Sequence, residues 1–299
     1  MKAATAALLS MTWIVTSAGA ATSTVDCDAG EKIQAKLDQV KPGDVIEVRG
    51  TCNEGVQVPS EMVRITFTGP ANATIRPPQD KDGFFIRGRD ITVRGFMIIG
   101  GRDGIHLSGQ AAGASAVIEG NTIRQTRRWG IHLDQTSVAR IGGNVIEDTP
   151  SFAIDISEGS SARIGFLIFD PLPNTIRNAG GHAIVVRHGS SAYILGNVIE
   201  NNKGSGIVID RNSHADVWAN SISANGADAL SVTRGSGVVV TGVTMPRREN
   251  GNETDPGRLN EGYGVTCTLG GYVDGPIAKL AGKRGAKRFD NSCIEAASP

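Results

Sequence analysis

One short phrase recurs along the chain and decides its fold; its five copies are Ile118-Glu-Gly-Asn-Thr-Ile123, Ile141-Gly-Gly-Asn-Val-Ile146, Asn174-Thr-Ile176, Ile194-Leu-Gly-Asn-Val-Ile199 and Val217-Trp-Ala-Asn-Ser-Ile222. Their asparagines lie 23, 30, 23 and 23 residues apart, so one interval carries an insertion of seven residues. A further 23 residues lead to Val243, in the same phrase without its Asn. A fixed period of about 20 to 50 residues indicates stacked units, each burying its apolar stripe against its neighbours.

A second phrase lies downstream of each copy: Gly130-Ile-His-Leu133, Ala153-Ile-Asp-Ile156, Ala183-Ile-Val-Val186, Gly206-Ile-Val-Ile209 and Ala229-Leu-Ser-Val232, with an earlier copy at Gly104-Ile-His-Leu107. Apolar residues alternate with others over four or five positions, which is the period of a half-buried strand. Gly, Asn and Ser separate the runs. With about 23 residues per unit there is room for three short strands, so the pattern predicts a coil of parallel strands.

These phrases make the chain resemble the right-handed parallel β-helix proteins of the pectate-lyase-like superfamily, over roughly residues 44 to 278. In that family each coil has three strands. A stacked Asn, often left-handed, occupies the tight turn between the second and third, and Asn tolerates that conformation better than other non-glycine residues. The resemblance phases one coil as a second strand at 139–142, a turn at Asn144, a third strand at 145–147 and the next first strand at 153–156.

The resemblance therefore implies an all-β protein, a right-handed parallel β-helix of about ten coils with an N-terminal capping helix. It does not imply one activity, because the superfamily includes lyases, hydrolases, epimerases, esterases and non-catalytic proteins. We expect a single domain over residues 21–299, with a cap at 26–43, coils at 44–278 and a C-terminal tail at 279–299. The capping helix is predicted from Ile33, Leu37 and Val40, spaced for one helical face and followed by Pro42-Gly43.

Residues 1–20 read as a secretory signal. Met1-Lys2 precedes a moderately apolar stretch from Ala3 to Val15, and Ala18-Gly-Ala20 has the small-x-small pattern of a cleavage site. The stretch is too short and polar for a membrane anchor. The sequence thus predicts a secreted or periplasmic protein without membrane insertion.

Four cysteines agree with export. Cys27 and Cys52 flank the first coil, and Cys267 and Cys293 flank the last. Pairing each with its neighbour would tie down the two ends, where a stack has no outer partner. Four cysteines allow three connectivities, and four free thiols remain the alternative.

The charge balance excludes one class of partner. Thirty basic and thirty acidic residues give no net field of the kind that draws a protein to nucleic acid. The low aromatic content of 5%, with 39 glycines and 12 prolines, suits an array dense in turns.

The first-strand phrase also predicts a surface. Its central residue points outward because its neighbours are apolar, and the next residue but one points outward too. Coils repeat about 4.8 Å apart. The phrase therefore predicts a patch of six residues: Phe85, Arg87, His106, His132, Asp134 and Asp155.

The loop before each first strand borders this patch and adds Arg102, Arg127, Arg128 and Trp129. Arginines grip carboxylates in a two-point fashion, and aromatic rings suit the apolar face of a sugar. The patch therefore suggests acidic polysaccharide as partner. For substrate binding we expect Phe85, Arg102, Trp129 and Arg127.

In the lyases and epimerases that the chain resembles, a proton is removed from the carbon beside a uronate carboxylate, which needs a base and a cation to neutralise the carboxylate. The resemblance implies His132 as base and His106 as second proton carrier. Arg87 or Arg128 would neutralise the carboxylate, and Asp134 or Asp155 would orient a histidine. This interpretation assigns no metal ligand, and Ca²⁺ is the one candidate cofactor.

Other interpretations stay open. The outward polar residues are also typical of a solvated ladder on a non-catalytic β-helix that binds glycan or serves in the cell envelope. Asp134 and Asp155 could act as the carboxylate pair of a hydrolase, and His106, His132 and Asp155 could converge on one metal ion. The enzyme interpretation requires His106 and His132 to be exposed beside Arg128, in a groove walled by Trp129 and the 246–262 loop.

The sequence also departs from particular enzymes of the superfamily. It has no Asp-Pro-His-Asp signature of mannuronan epimerases, and Asp170-Pro-Leu-Pro173 matches that signature only in part. The acidic ladder of calcium-dependent pectate lyases is missing from the sequence, as is the Asn-Thr-Asp plus Asp-Asp arrangement of polygalacturonases.

Overall fold

The computed structural model describes residues 19–70, 73–110, 113–167, 170–240, 251–277 and 279–296. Within these ranges the chain is a parallel β-helix, in which short strands of successive coils pair side by side into three long sheets. The predicted fold class is confirmed. The predicted signal peptide lies almost wholly outside the described residues. No helix among the described residues is long and apolar enough to span a membrane.

The strands, in chain order, are β1 (Thr22–Asp26), β2 (Val45–Arg49), β3 (Thr51–Cys52), β4 (Val56–Val58), β5 (Thr66–Thr68), β6 (Thr74–Ile75), β7 (Phe84–Ile86), β8 (Ile91–Arg94), β9 (Met97–Ile99), β10 (Ile105–Ser108), β11 (Ser115–Glu119), β12 (Thr122–Arg124), β13 (Ile131–Asp134), β14 (Val138–Gly142), β15 (Val145–Glu147), β16 (Ile154–Ile156), β17 (Ser161–Ile164), β18 (Thr175–Arg177), β19 (Ile184–Val186), β20 (Ser191–Leu195), β21 (Val198–Glu200), β22 (Ile207–Ile209), β23 (His214–Trp218), β24 (Ser221–Ser223), β25 (Leu230–Val232), β26 (Gly237–Val239), β27 (Val265–Cys267), β28 (Tyr272–Asp274), β29 (Lys287–Phe289) and β30 (Ile294–Ala296).

Each central coil contributes one strand to each sheet, in the phase that the sequence predicts around Asn144, whereas in the described ranges the end coils do not fill all three sheets. Sheet 1 holds the first strands, in the order β4, β7, β10, β13, β16, β19, β22, β25, β27 and β29. Sheet 2 holds the second strands, in the order β1, β2, β5, β8, β11, β14, β17, β20, β23, β26, β28 and β30. Sheet 3 holds the third strands, in the order β3, β6, β9, β12, β15, β18, β21 and β24.

The core is a column of stacked aliphatic side chains inside the coil. On sheet 1, Ile131 of β13 lies opposite Ile105 of β10 and Ile154 of β16, and all three are fully buried. Alternate residues of every strand face inward because the side-chain period of a strand is two. Burying one such side chain stabilises the fold by roughly 2 kcal/mol, so the stack is held together by repetition.

The phrase that recurs in the sequence forms a buried asparagine ladder. The backbone N–H and the side-chain amide of Asn121 both donate to Asn144 Oδ1, at 2.9 and 3.0 Å, and the pattern continues along the stack. These asparagines are not themselves left-handed, which corrects the expectation. The left-handed residue is the one before the ladder position, as in Gly143 with φ +67° and Ala219 with φ +54°.

The asparagine ladder extends beyond the last repeated phrase of the sequence. Asn220 donates to Asn252 Oδ1, 32 residues further on, whereas Val243 lies outside the described residues. The described part of the 246–262 loop follows sheet 3, because Glu253 bridges to Ser221 of β24. Arg258 pairs with Glu200 at 2.7 Å. The predicted groove wall is therefore not formed by residues 251–262.

Both ends of the stack are tied by disulfides, Cys27–Cys52 and Cys267–Cys293, which are the two predicted pairs. A one-turn helix α1 (Ile33–Leu37) packs against β4 with Ile33 and Leu37 buried. Glu54 accepts the N–H of Ile33 at 2.7 Å, which satisfies a donor that a helix start leaves unpaired. Three strands, β1, β29 and β30, lie outside residues 44–278, the range predicted for the coils. They extend the sheets by pairing with β2, β27 and β28, respectively.

Candidate functional site

The outward column on sheet 1 has the register that the sequence predicts. His106 of β10 lies opposite Phe85 of β7 and His132 of β13. His132 lies opposite Asp155 of β16, and Asp134 lies opposite Ser108. Parallel strands in register bring like positions together, so the two imidazole rings stack with centroids 4.4 Å apart.

The histidines point out of the coil, yet they are not exposed as the enzyme interpretation requires. Their relative exposures are 6% for His106 and 5% for His132, and Asp155 is fully buried. Trp129, from the loop before β13, packs over His132 at an interplanar angle of 58°, with ring centroids 4.1 Å apart. The guanidinium of Arg128 covers Trp129 in turn, 3.8 Å from its ring centroid. The loop side chains therefore close over the column.

His106 is held by two carboxylates. Its Nδ1 lies 3.3 Å from Asp82 Oδ2, and its Nε2 lies 3.1 Å from Asp134 Oδ2. Burial alone would lower the pKa of His106, but these hydrogen bonds and the two negative charges together raise it above its ordinary value. The two flanking carboxylates therefore favour the imidazolium form of His106, in which both nitrogens donate.

The pKa of His132 is shifted in the opposite direction, downward. Its Nε2 lies 3.4 Å from Asp155 Oδ2, and its Nδ1 lies 3.8 Å from Asp103 Oδ2. Burial, joined by the positive charge of His106, lowers the pKa of His132 to about 3. His132 Nδ1 is buried without a hydrogen-bond partner among the described residues. The Nδ1 lone pair of this neutral imidazole thus points into a cluster of two histidines and four aspartates: Asp82, Asp103, His106, His132, Asp134 and Asp155.

Three arginines fix three of the carboxylates through two-point contacts. Arg102 binds Asp82 at 2.9 and 2.7 Å, and Arg187 binds Asp155 at 2.8 and 3.0 Å. Arg128 binds Asp103 through Nε at 2.9 Å and through a second, shorter contact from Nη2.

The charges in this cluster balance. Four carboxylates face three guanidinium groups and the imidazolium of His106. Burial raises the pKa of Asp155 despite Arg187, whereas hydrogen bonds with His106 hold the pKa of Asp134 below its ordinary value against the effect of burial. The cluster is therefore a near-neutral buried network, as buried charges require.

Sequence reasoning missed Asp82 and gave Asp103 and Arg187 no role. A signal for the two aspartates was present: Asp82-Gly83 and Asp103-Gly104 occupy equivalent positions before successive first strands. The other predicted residues lie beside the cluster. Arg87 lies over Phe85, 5.8 Å from its ring centroid, and Arg127 is exposed.

One set of donors in the cluster has the spacing of metal ligands. Asp103, His106 and His132 each offer one ligand atom, and these atoms all lie within 4.8 Å of one another. Asp155, which the sequence suggested as the third ligand, instead faces Nε2 of His132. Two imidazoles and a carboxylate suit copper(II), zinc and neighbouring divalent ions.

Fold and site together define a parallel β-helix protein with a buried histidine–aspartate cluster on one face. The chain belongs to the right-handed β-helix family described as "Periplasmic copper-binding protein (NosD)", whose model matches residues 72–242. That range contains every residue of the cluster. No curated protein matches the chain by sequence.

Two solved structures share the fold. The A-module of the Azotobacter vinelandii mannuronan C-5 epimerase AlgE4 is 13% identical, with 94% of this chain and 90% of that chain covered and a TM-score of 0.56. The enzymatically active domain of tailspike protein 2 from bacteriophage CBA120 is 11% identical, with a TM-score of 0.63. That match covers 88% of this chain but 44% of the tailspike chain. At these identities the likeness shows the fold alone.

Proposed function

We propose that this chain binds a divalent transition-metal ion, copper(II) in the first instance, between Asp103, His106 and His132. The observation that carries the proposal is the buried Nδ1 of His132, which has no hydrogen-bond partner among the described residues and lies 3.8 Å from the carboxylate of Asp103. A buried polar atom without a partner is costly, and coordination of an ion would satisfy it. Membership of a family described as copper-binding supports copper as the ion.

The surroundings fit such an ion. Nε2 of each histidine faces a carboxylate, Asp134 for His106 and Asp155 for His132. A carboxylate that holds one ring nitrogen orients the other toward a metal, and for His132 this leaves Nδ1 to bind. Nδ1 of His106 also lies 3.3 Å from Asp82 Oδ2, so that contact must give way if His106 binds through Nδ1. The donors of Asp103, His106 and His132 are nitrogen and oxygen rather than thiolate or thioether, and that set favours copper(II) over copper(I).

The same geometry argues against His132 as a general base. A base works best with a pKa near the operating pH, and a pKa of about 3 leaves little driving force for taking a proton. A neutral imidazole, however, is what a metal ligand must be. His106 must lose a proton before it can bind, so affinity should fall in acid.

Metal titration of the untagged protein tests the proposal. We expect one equivalent of copper(II) to bind, with an electron paramagnetic resonance spectrum that shows nitrogen coordination. His132→Asn should weaken binding by at least about tenfold, as loss of a metal ligand predicts. His214→Asn is the matched control, because His214 is exposed on sheet 2. Equal affinity in both variants, or no binding by the wild type, would exclude the site.

We also propose that the protein is exported to the periplasm or beyond. Two disulfides support an oxidising compartment, and the family description names the periplasm. Signal cleavage after Ala20 would give a mature protein that begins at Ala21. N-terminal sequencing of protein from a periplasmic extract tests this, and an intact Met1 would contradict it.

A second candidate function is binding of acidic polysaccharide on the same face, with proton abstraction beside the uronate carboxylate. It is favoured by Arg87 and Arg127, which make no ion pair within the described part of the chain, and by the ring of Phe85, whose centroid lies 5.8 Å from the Arg87 guanidinium. Free guanidinium groups next to aromatic rings suit a carboxylated sugar. Full burial of Asp155 against Arg187 weighs against an Asp134–Asp155 hydrolase pair.

Incubation with polygalacturonate and alginate, with and without calcium, tests this second function. Lyase action would create the ultraviolet absorbance of an unsaturated uronate, and epimerase action would change the proton spectrum of the polymer. Either signal, if lost in Arg127→Ala and kept in Arg140→Ala, would support it. Binding without reaction would favour a non-catalytic glycan-binding protein. If the protein neither binds nor converts these polymers, the second function is excluded and metal binding is the remaining proposal.

A further inference from the structure

A separate cleft lies on the sheet 1 side near the C-terminal end of the stack. Its volume is about 230 Å³, and its lining includes Tyr263, Thr266, Arg284 and Arg288. Thr266 is five register steps from His132 along the outward column, which places it about 24 Å away at the usual strand spacing. The cleft is therefore independent of the histidine cluster.

The acidic residues of this cleft already have partners. Asp228 accepts the backbone N–H of Tyr263 at 2.7 Å and the hydroxyl of Thr266 at 2.9 Å. Glu261 pairs with Lys283 at 2.5 Å. These contacts engage both carboxylates that line the cleft.

The arginines of the cleft differ from the lysines beside them. Lys283 and Lys287 are paired with Glu261 and Glu295. Arg284 and Arg288 have no carboxylate partner within the described ranges, although both line the cleft. The hydroxyl of Tyr263 also has no hydrogen-bond partner there. Three uncommitted donors thus border one concavity.

We propose that this cleft binds an oxyanion, the carboxylate or phosphate group of a small ligand, between the guanidinium groups of Arg284 and Arg288. Planar guanidinium groups bind such anions in a two-point fashion, and the Tyr263 hydroxyl supplies a further donor. The cleft is smaller than the roughly 300 to 1,000 Å³ of typical small-molecule pockets, so it suits one sugar-sized or smaller group.

Calorimetric titration of the metal-free protein with inorganic phosphate and with glucuronate tests the proposal, with neutral glucose as reference. We expect at least one anion to bind and glucose not to bind. Arg284→Ala and Arg288→Ala should each weaken the binding about tenfold, as loss of a charge-assisted hydrogen bond predicts. Tyr263→Phe should weaken it less, and His132→Asn should leave it unchanged.

The control is Arg140→Ala, which removes the same charge from an exposed arginine on sheet 2. Binding of phosphate alone identifies a phosphorylated ligand, and binding of glucuronate alone identifies a carboxylated sugar. Binding of both identifies an oxyanion site without further selectivity. Binding of neither anion, or an equal loss of affinity in Arg140→Ala, would overturn the proposal.

Discussion

At the scale of single residues, the site depends on two stacked histidines whose pKa values shift in opposite directions. His106 lies between two carboxylates, whereas His132 contacts the ring of Trp129 and the positive charge of its neighbour. Two imidazolium ions 4.4 Å apart would repel each other in a buried site, so protonating one keeps the other neutral.

This difference predicts opposite pH dependences of stability for the metal-free protein. The folded pKa of His132 is lowered, so the unfolded chain binds a proton that the folded chain does not, and stability is lost as pH falls below about 6.5. The wild type should therefore lose at least about 1 kcal/mol relative to His132→Asn between neutral pH and about pH 4.

The raised pKa of His106 acts the other way. Its contribution is fully present below the ordinary histidine pKa and is lost as pH rises through the folded value. The advantage of the wild type over His106→Asn should therefore shrink toward alkaline pH. Urea unfolding across the pH range measures both differences, and a constant gap for either variant would contradict the assignment.

The sequence predicted where the site residues lie on the strands but not that they are buried. The alternation of apolar residues placed His106, His132 and Asp155 in one outward column, because the strand period is two. It could not show that they are buried, since burial comes from Trp129 and Arg128 folding back over the strand. Which carboxylate faces which ring nitrogen likewise depends on loop geometry.

At the scale of elements, the asparagine turn joins each coil to the next. Asn144 accepts two hydrogen bonds from Asn121 and donates to Asn174, Ile118 and Gly142. The sequence predicted this column for the five repeated phrases. Asn252 escaped prediction because the insertion before it breaks the period, and only the stacked structure shows that it completes the ladder.

Asn144→Ala should destabilise the protein by about 3 kcal/mol, because it leaves the buried N–H of Asn121 without an acceptor. The matched control is Asn53→Ala, since Asn53 is exposed, and it should change stability by less than about 0.5 kcal/mol. Thermal or urea unfolding measures both. Similar losses in the two variants would mean that the ladder contributes little.

A substitution at Ala219 should raise the stability of the protein rather than lower it. It has φ +54° at the turn position where Gly120, Gly143 and Gly196 stand in other coils. A left-handed alanine costs about 1 to 2 kcal/mol, partly offset by the greater entropy of glycine when unfolded. Ala219→Gly should therefore stabilise the protein by about 0.5 kcal/mol, whereas Ala139→Gly inside β14 should destabilise it.

At the scale of the whole molecule, the protein is a stack whose ends have fewer neighbours than its middle. The repeats predicted the central coils well because each coil repeats the previous one. They did not reveal β1, β29 or β30, whose sequences lack the repeated phrase. These strands join the sheets through backbone pairing, which any sequence of suitable shape can supply.

The two disulfides should therefore matter most at the ends. Each closes a segment of 25 or 26 residues, and the chain-entropy account gives about 3 kcal/mol for a link of that size. Reduction should raise hydrogen exchange in the first and last coils, while β13 to β22 stay protected. A uniform rise along the chain would show instead that the stack unfolds as one unit.

Anomalous diffraction from crystals grown with copper is the most direct test of a metal centre formed by the stacked histidines and Asp103. We expect one copper peak bonded to His132 Nδ1, with His106 and Asp103 as further ligands. The Arg128–Asp103 contact should lengthen as the ion takes the carboxylate. A copper peak elsewhere, or none at this cluster under saturating copper, would contradict it.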